Sequence, residues 1–228
     1  MEGCFILCDL ANDTTVVYNA QRAEQPFLPA STFKILNSLI ALETGAVQNA
    51  DESIEWDGEQ RFVQEWNRDH TMRSAMQYSV VWFYQELARR IGEGQMHKWV
   101  DAVGYGNTQT GKNIDDFWLV GDLRITPRQQ VEFLKKLVLE KLPFSRHTIG
   151  QVKDILIEDK TDRYIFRAKS GWATQGQHIG WYIGYIEIDG KAYIFVNNID
   201  INSDADPKAR KEIAKEIFKT AFDIDLDI

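Results

Sequence analysis

The sequence predicts an α/β protein of the α+β kind, with a central antiparallel sheet of five to six strands, flanking helices and a mostly helical lobe inserted between its strands. Three observations lead there. Strand-like runs rich in β-branched and aromatic residues sit at both chain ends, CFILCDL and TTVVYNA near the start, and DRYIFRAK, GWYIGYIEI and AYIFVNNI near the end. Between them, from Ser31 to about Glu158, the apolar periodicity is mostly helical. No internal repeat, low-complexity tract or linker interrupts the chain, so residues 1–228 read as a single domain with a sheet lobe at about 1–30 and 159–228 and a helical lobe at about 31–158.

Each element has a local reason. CFILCDL and TTVVYNA flank Asn12-Asp13 and form a hairpin. Phe33, Ile35, Leu36, Leu39, Ile40 and Leu42 make one helix apolar nearly all round, so it is buried on several sides. VVWFYQELA, entered through Ser79, is a second buried stretch. Thr126-Pro127-Arg128-Gln129 is a capping box with proline at the first helical position, followed by Val131, Leu134, Leu137 and Val138 at helical spacing. Asp189-Gly190 joins the last two strands through a tight turn. Asp206-Pro207 opens a final helix, with Ala209, Ile213, Ile217 and Ala221 as its expected packing face.

Composition narrows the function. A net charge of -8 argues against nucleic acid and anionic membrane as partners, since both reward clustered Lys and Arg. No apolar run is long enough to span a bilayer. The start, MEGCFILCDL, lacks the basic segment and cleavage site of a signal peptide, which is compatible with a cytoplasmic chain or an exported mature domain. Cys4 and Cys8 lie in one strand, where four residues span roughly 13 Å, too far for a disulfide between them. The histidines His70, His97, His147 and His178 show neither metal-ligand spacing nor a triad with a serine motif, so no metal is expected.

The chemistry-bearing stretch is PASTFK. Ser31 and Lys34, three apart, share a helix face at the head of the buried helix. An ammonium there loses hydration, its pKa falls, and it becomes a base for the neighbouring hydroxyl. With eight serines in the chain, one Ser-x-x-Lys match carries little weight by itself. Two further segments add to it: QYSVVW with Ser79 and Val81, and FRAKSGW with Lys169, Ser170 and Gly171. Ser-x-x-Lys, Ser-x-Val and Lys-Ser-Gly in that order resemble the penicillin-recognising serine acyl enzymes.

With Tyr105-Gly106-Asn107, Phe117-Trp118-Leu119 and KSGW in family order and spacing, the chain resembles the class D β-lactamases from Gly3 onward. The resemblance implies the penicillin-binding-protein/β-lactamase fold and hydrolysis of penicillin-type antibiotics. It implies Ser31 as nucleophile and Lys34, N-carboxylated by carbon dioxide, as general base, with no other cofactor. Ser79 would relay a proton to the leaving nitrogen, and Lys169 would supply charge beside it. The backbone N–H groups of Ser31 and Trp172 would form the oxyanion hole. Ser170, Gly171 and Arg210 would bind the substrate and its carboxylate, although in KARKE Arg210 also reads as a solvated charge. Trp118 would bond the carboxylated lysine, and Val81 and Leu119 would close an apolar lid over it. Tyr105 and Asn107 read as turn and wall. Consecutive strand residues face opposite ways, so joint use of Lys169 and Ser170 requires the strand to end or twist at Gly171.

The resemblance further implies a monomer or weak homodimer, periplasmic or secreted as a mature domain. The family usually carries an extra helix before the first strand, and here the sequence begins almost at the strand. Two other readings share the motifs: a penicillin-sensing receptor domain that acylates and stalls, and a cell-wall transpeptidase. Leu119 favours the hydrolase over the sensor, and the Tyr-Gly-Asn and Phe-Trp-Leu set disfavours the transpeptidase.

Overall fold

The computed structural model describes residues 2–176, 178–203 and 206–228. In chain order, strands β1 (Gly3–Asp9) and β2 (Thr14–Tyr18) lead to a short helix α1 (Ala20–Ala23) and a 3-10 turn (Ala30–Phe33) that runs into α2 (Lys34–Glu43). The middle holds β3 (Ser53–Ile54), β4 (His70–Thr71), α3 (Met72–Gln77), α4 (Val81–Ile91), α5 (Glu93–Val103), α6 (Pro127–Val138) and α7 (Arg146–Ile155). Strands β5 (Ile157–Lys160), β6 (Tyr164–Ala173), β7 (Ile179–Ile188) and β8 (Lys191–Asp200) and helix α8 (Asp206–Phe222) complete the chain.

Six strands form one antiparallel sheet in the order β2-β1-β8-β7-β6-β5, so both chain ends build it. Period-two alternation divides its side chains between two cores. Cys4, Ile6, Cys8, Trp181, Ile183, Tyr185, Ile194 and Val196 face the helices of the middle segment, while Phe5, Phe166, Tyr182, Ile186 and Phe195 face α8. Both cysteines are buried and free. Asp189 and Gly190, with φ of 49° and 77°, make the tight turn between β7 and β8. Thr126 caps α6 through Gln129, with Pro127 in the first turn.

Three expectations need correction. The helical middle ends earlier than Glu158, because β5 starts at Ile157 and pairs with β6; β3 and β4 also form a small two-stranded sheet inside that region. The packing face of α8 is rotated: Ala214 and Phe218 are its buried residues, with Ile213 and Ile217 at the flanks. The reason is aromatic, since Phe218 meets Phe166 and Phe195 edge-on at 5.6 and 5.3 Å. Finally, Ser31 lies in a 3-10 turn rather than in the helix proper, with Lys34 as the first residue of α2.

Candidate active site

The turn carrying Ser31 is clamped from several sides. Phe27 bridges Ile125, Trp181 Nε1 donates to Leu28 O (2.8 Å), and Ala30 N donates to Trp118 O (3.0 Å). Ala30 has φ of 48°, an uncommon conformation for a residue with a side chain, held by these contacts. Behind the turn, Thr32 Oγ1 donates to Pro29 O (2.7 Å), and buried Gln130 donates from Nε2 to Thr32 Oγ1 (2.9 Å) and Tyr105 Oη (3.3 Å). This network escaped the sequence reading. Its signal was Gln130, a polar residue on the face of α6 that Leu134 and Leu137 share.

Lys34 is fully buried, and its Nζ lies 2.7 Å from Ser31 Oγ and 5.4 Å from the Tyr84 ring centre. Burial, and then the charge of Lys169, holds its pKa well below the usual lysine range. No salt bridge with a carboxylate is formed by Lys34 among the described residues. Lys169, on β6, is also buried, with Nζ 3.5 Å from Ser170 Oγ. Burial pulls it down to about 8; Glu158 opposes that shift, and Lys211 and Arg210 add to it.

Ser31, Ser79, Val81, Leu119, Ser170, Gly171, Trp172 and Arg210 line one cavity of about 490 Å³. Val63, Trp66 and Val120 add an apolar rim. Ser79 sits between α3 and α4 with φ of 54°. Lys34, Trp118 and Lys169 are buried and are not among the residues lining the cavity.

Of the two ways the sequence expectation left open at Gly171, an end or a twist of the strand, the end does not occur: β6 keeps its register with β7 and runs on to Ala173. What changes is its other edge, where pairing with β5 stops at Arg167 and the 3-10 turn takes over. A Cβ on Gly171 would stand 3.1 Å from Thr32 Cγ2 and 3.2 Å from Pro29 O, so the glycine permits the strand to approach the Ser31 turn closely.

Arg210 is half-buried, not a solvated charge: Nε donates to Pro207 O (2.7 Å) and Nη1 to Gly171 O (2.5 Å). Trp118 stacks on Phe33, and its fully buried Nε1 has no hydrogen-bond partner among the described residues. Asn107 accepts from Arg124 N and donates to Asp122 O, a turn-holding role. No group of His, Cys, Asp and Glu suited to a metal ion occurs among the described residues.

Residues 4–219 match the family described as the penicillin binding protein transpeptidase domain. The chain is 43% identical over 218 residues to a probable β-lactamase, YbxI, of Bacillus subtilis (strain 168), covering 96% of this chain and 80% of that protein. It is 42% identical to the β-lactamase OXA-48 of Klebsiella pneumoniae, covering 96% and 83%. Among solved structures, a class D β-lactamase YbXI from Nostoc superposes with a TM-score of 0.94 at 47% identity, covering 96% and 92%. FUS-1 (OXA-85) from Fusobacterium nucleatum subsp. polymorphum superposes with a TM-score of 0.95 at 42% identity, covering 98% and 93%. With these likenesses spanning nearly its whole length, the chain belongs to the class D β-lactamases, a family of enzymes that hydrolyse the β-lactam amide bond.

Proposed function

We propose that this protein opens the β-lactam ring of penicillin-type antibiotics through an acyl-enzyme on Ser31, the two lobes working as one catalytic unit. The observation that carries the reading is the contact of a buried Lys34, its pKa lowered by that burial, with the Ser31 hydroxyl at 2.7 Å. Ser31 Oγ attacks the lactam carbonyl as its proton passes to the base at position 34. The backbone N–H groups of Ser31 and Trp172 receive the oxyanion. As the C–N bond breaks, Ser79 relays a proton to the leaving nitrogen, with the charge of Lys169 beside it. Ser170 and Arg210 hold the substrate carboxylate, and water then hydrolyses the ester and frees Ser31.

N-carboxylation of Lys34 fits the residues around it. Burial favours the neutral amine, the form that reacts with carbon dioxide, and Trp118 Nε1 is a buried donor without an acceptor among the described residues. Bound carbon dioxide would supply a carboxylate on Lys34 able to accept a proton first from Ser31 and later from water. Trp118 would donate to it, while Val81 and Leu119 limit water entry from the cavity. Among the described residues, no helix is long and apolar enough to cross a membrane; we place the enzyme outside the cytoplasm, as a monomer or weak dimer acting on small lactams.

Steady-state hydrolysis of a chromogenic lactam, with and without bicarbonate, tests this directly. Turnover is expected, with bicarbonate restoring activity lost below neutral pH. Stoichiometric acylation without turnover would make the protein a sensor domain instead. Ser31→Ala should show no adduct of acyl mass while staying folded; an adduct in that variant removes Ser31 as nucleophile.

A further inference from the structure

Arg210 approaches the cavity by an indirect path. It projects from the first turns of α8, yet its guanidinium reaches the carbonyl of Gly171 on β6, so its stem must cross β7. It crosses at Gly180, which pairs with Trp172 on one side and with Ile199 on the other. A Cβ at Gly180 would stand 2.7 Å from Ile201 Cδ1, 2.8 Å from Arg210 Cδ and 3.1 Å from Arg210 Cγ. The first two distances are shorter than carbon atoms tolerate, and the stem is already held at both ends. Asn197, buried on β8, donates from Nδ2 to Arg210 O (3.0 Å), and Nε and Nη1 are engaged with Pro207 O and Gly171 O.

We infer that Gly180 is a positioning residue for substrate binding: its missing side chain is the groove in which the Arg210 stem lies, and Ile201 is the wall that keeps it there. The inference rests on the reading of Arg210 as the group that holds the substrate carboxylate. A guanidinium has five N–H donors. Two are used on Pro207 and Gly171, and the others have no partner among the described residues. Those remaining donors belong to a side chain that lines the cavity beside Ser170 and Trp172. The bond to Gly171 therefore does two things. It fixes the guanidinium plane, and it does so on the same glycine that packs against the Ser31 turn. Filling the groove at Gly180 lifts the stem, breaks the bond to Gly171 and moves the donors away from the anion, without touching Ser31 or Lys34.

The test is a double-mutant cycle read in KM and kcat, using one penicillin and its methyl ester, which lacks the charge. Gly180→Ala is expected to raise KM for the penicillin about tenfold with kcat within about twofold, as for a contact made equally in ground and transition states. KM for the ester should not change. In an Arg210→Ala background, Gly180→Ala should add nothing further. Thermal melts accompany the cycle. If Gly180→Ala is poorly folded, the cradle predicts that adding Arg210→Ala recovers part of the melting temperature, and an equal loss in both backgrounds overturns it. An unchanged KM in Gly180→Ala, an equal rise for the ester, or an additive rise in the Arg210→Ala background also overturns the inference. Arg210→Ala alone separates the two layers: if it leaves KM for the penicillin unchanged, the carboxylate reading falls and the inference falls with it. If it raises KM while Gly180→Ala does not, only the inference falls.

Discussion

The buried indoles of this protein are not equivalent. Trp82 donates to Trp66 O and Trp181 to Leu28 O, both at 2.8 Å, while Trp118, with no exposed surface, donates to nothing among the described residues. Leaving such a donor unpaired costs about 1–3 kcal/mol. The cost makes sense if an acceptor arrives as the proposed carboxylate on Lys34. Trp118→Phe keeps an aromatic ring stacked on Phe33 and removes the N–H. In carbon-dioxide-free buffer, stability should stay within about 1 kcal/mol of wild type, because relief of the unpaired donor offsets the packing lost with the smaller ring. The bicarbonate concentration giving half-maximal activity should rise, and carbon-13 NMR with labelled bicarbonate should show a weaker carbamate resonance. Identical bicarbonate curves for variant and wild type would remove Trp118 from this role.

Among the elements, the meeting of the 3-10 turn with the free edge of β6 decides the geometry of the site. Gly171 separates them by less than a methyl group requires. Gly171→Ala should push the strand from the Ser31 turn by a few tenths of an ångström. Because small displacements of reacting groups are costly, kcat/KM should fall about 10–100-fold with circular dichroism unchanged. Full activity would mean that the turn yields freely. Much of this arrangement was legible beforehand. The contact of Ser31 with Lys34 followed from their spacing of three, α6 from its capping box, and β6, β7 and β8 from composition and the Asp189-Gly190 turn. Strand β5 was not, because Ile157-Glu158-Asp159-Lys160 is mostly polar and follows a helix directly. The face of α8 was misjudged because aliphatic spacing favoured Ile213 and Ile217, whereas the sheet beneath offers aromatic rings that select Phe218. Gly180 and Gln130 act across the fold, on partners 30 and 98 residues away, where linear spacing carries no signal.

The whole molecule bears the cost of burying two lysines, Lys34 and Lys169. The pKa of Lys34 in the folded protein lies well below its ordinary value of 10.5, with burial the main cause. Between the folded value and about 10.5 the unfolded chain binds the extra proton, so stability rises with pH across that window and is lost as pH falls through it. Lys169, pulled down to about 8, acts in the same direction. Lys34→Met keeps similar length and removes the titration, leaving Lys169 in place. This variant should lose turnover yet melt higher than wild type, by roughly 2–8 °C for a gain of about 1–2 kcal/mol. The difference should be larger at about pH 6 than at about pH 9, because both proteins carry Lys169 but only wild type must also protonate or strain the buried amine at position 34 in acid. Thermal melts of both proteins in carbon-dioxide-free buffer provide the measurement. A difference that is constant with pH, or a variant less stable than wild type in acid, would mean that Lys34 is held charged, and the neutral amine on which the carbon dioxide chemistry depends would be lost.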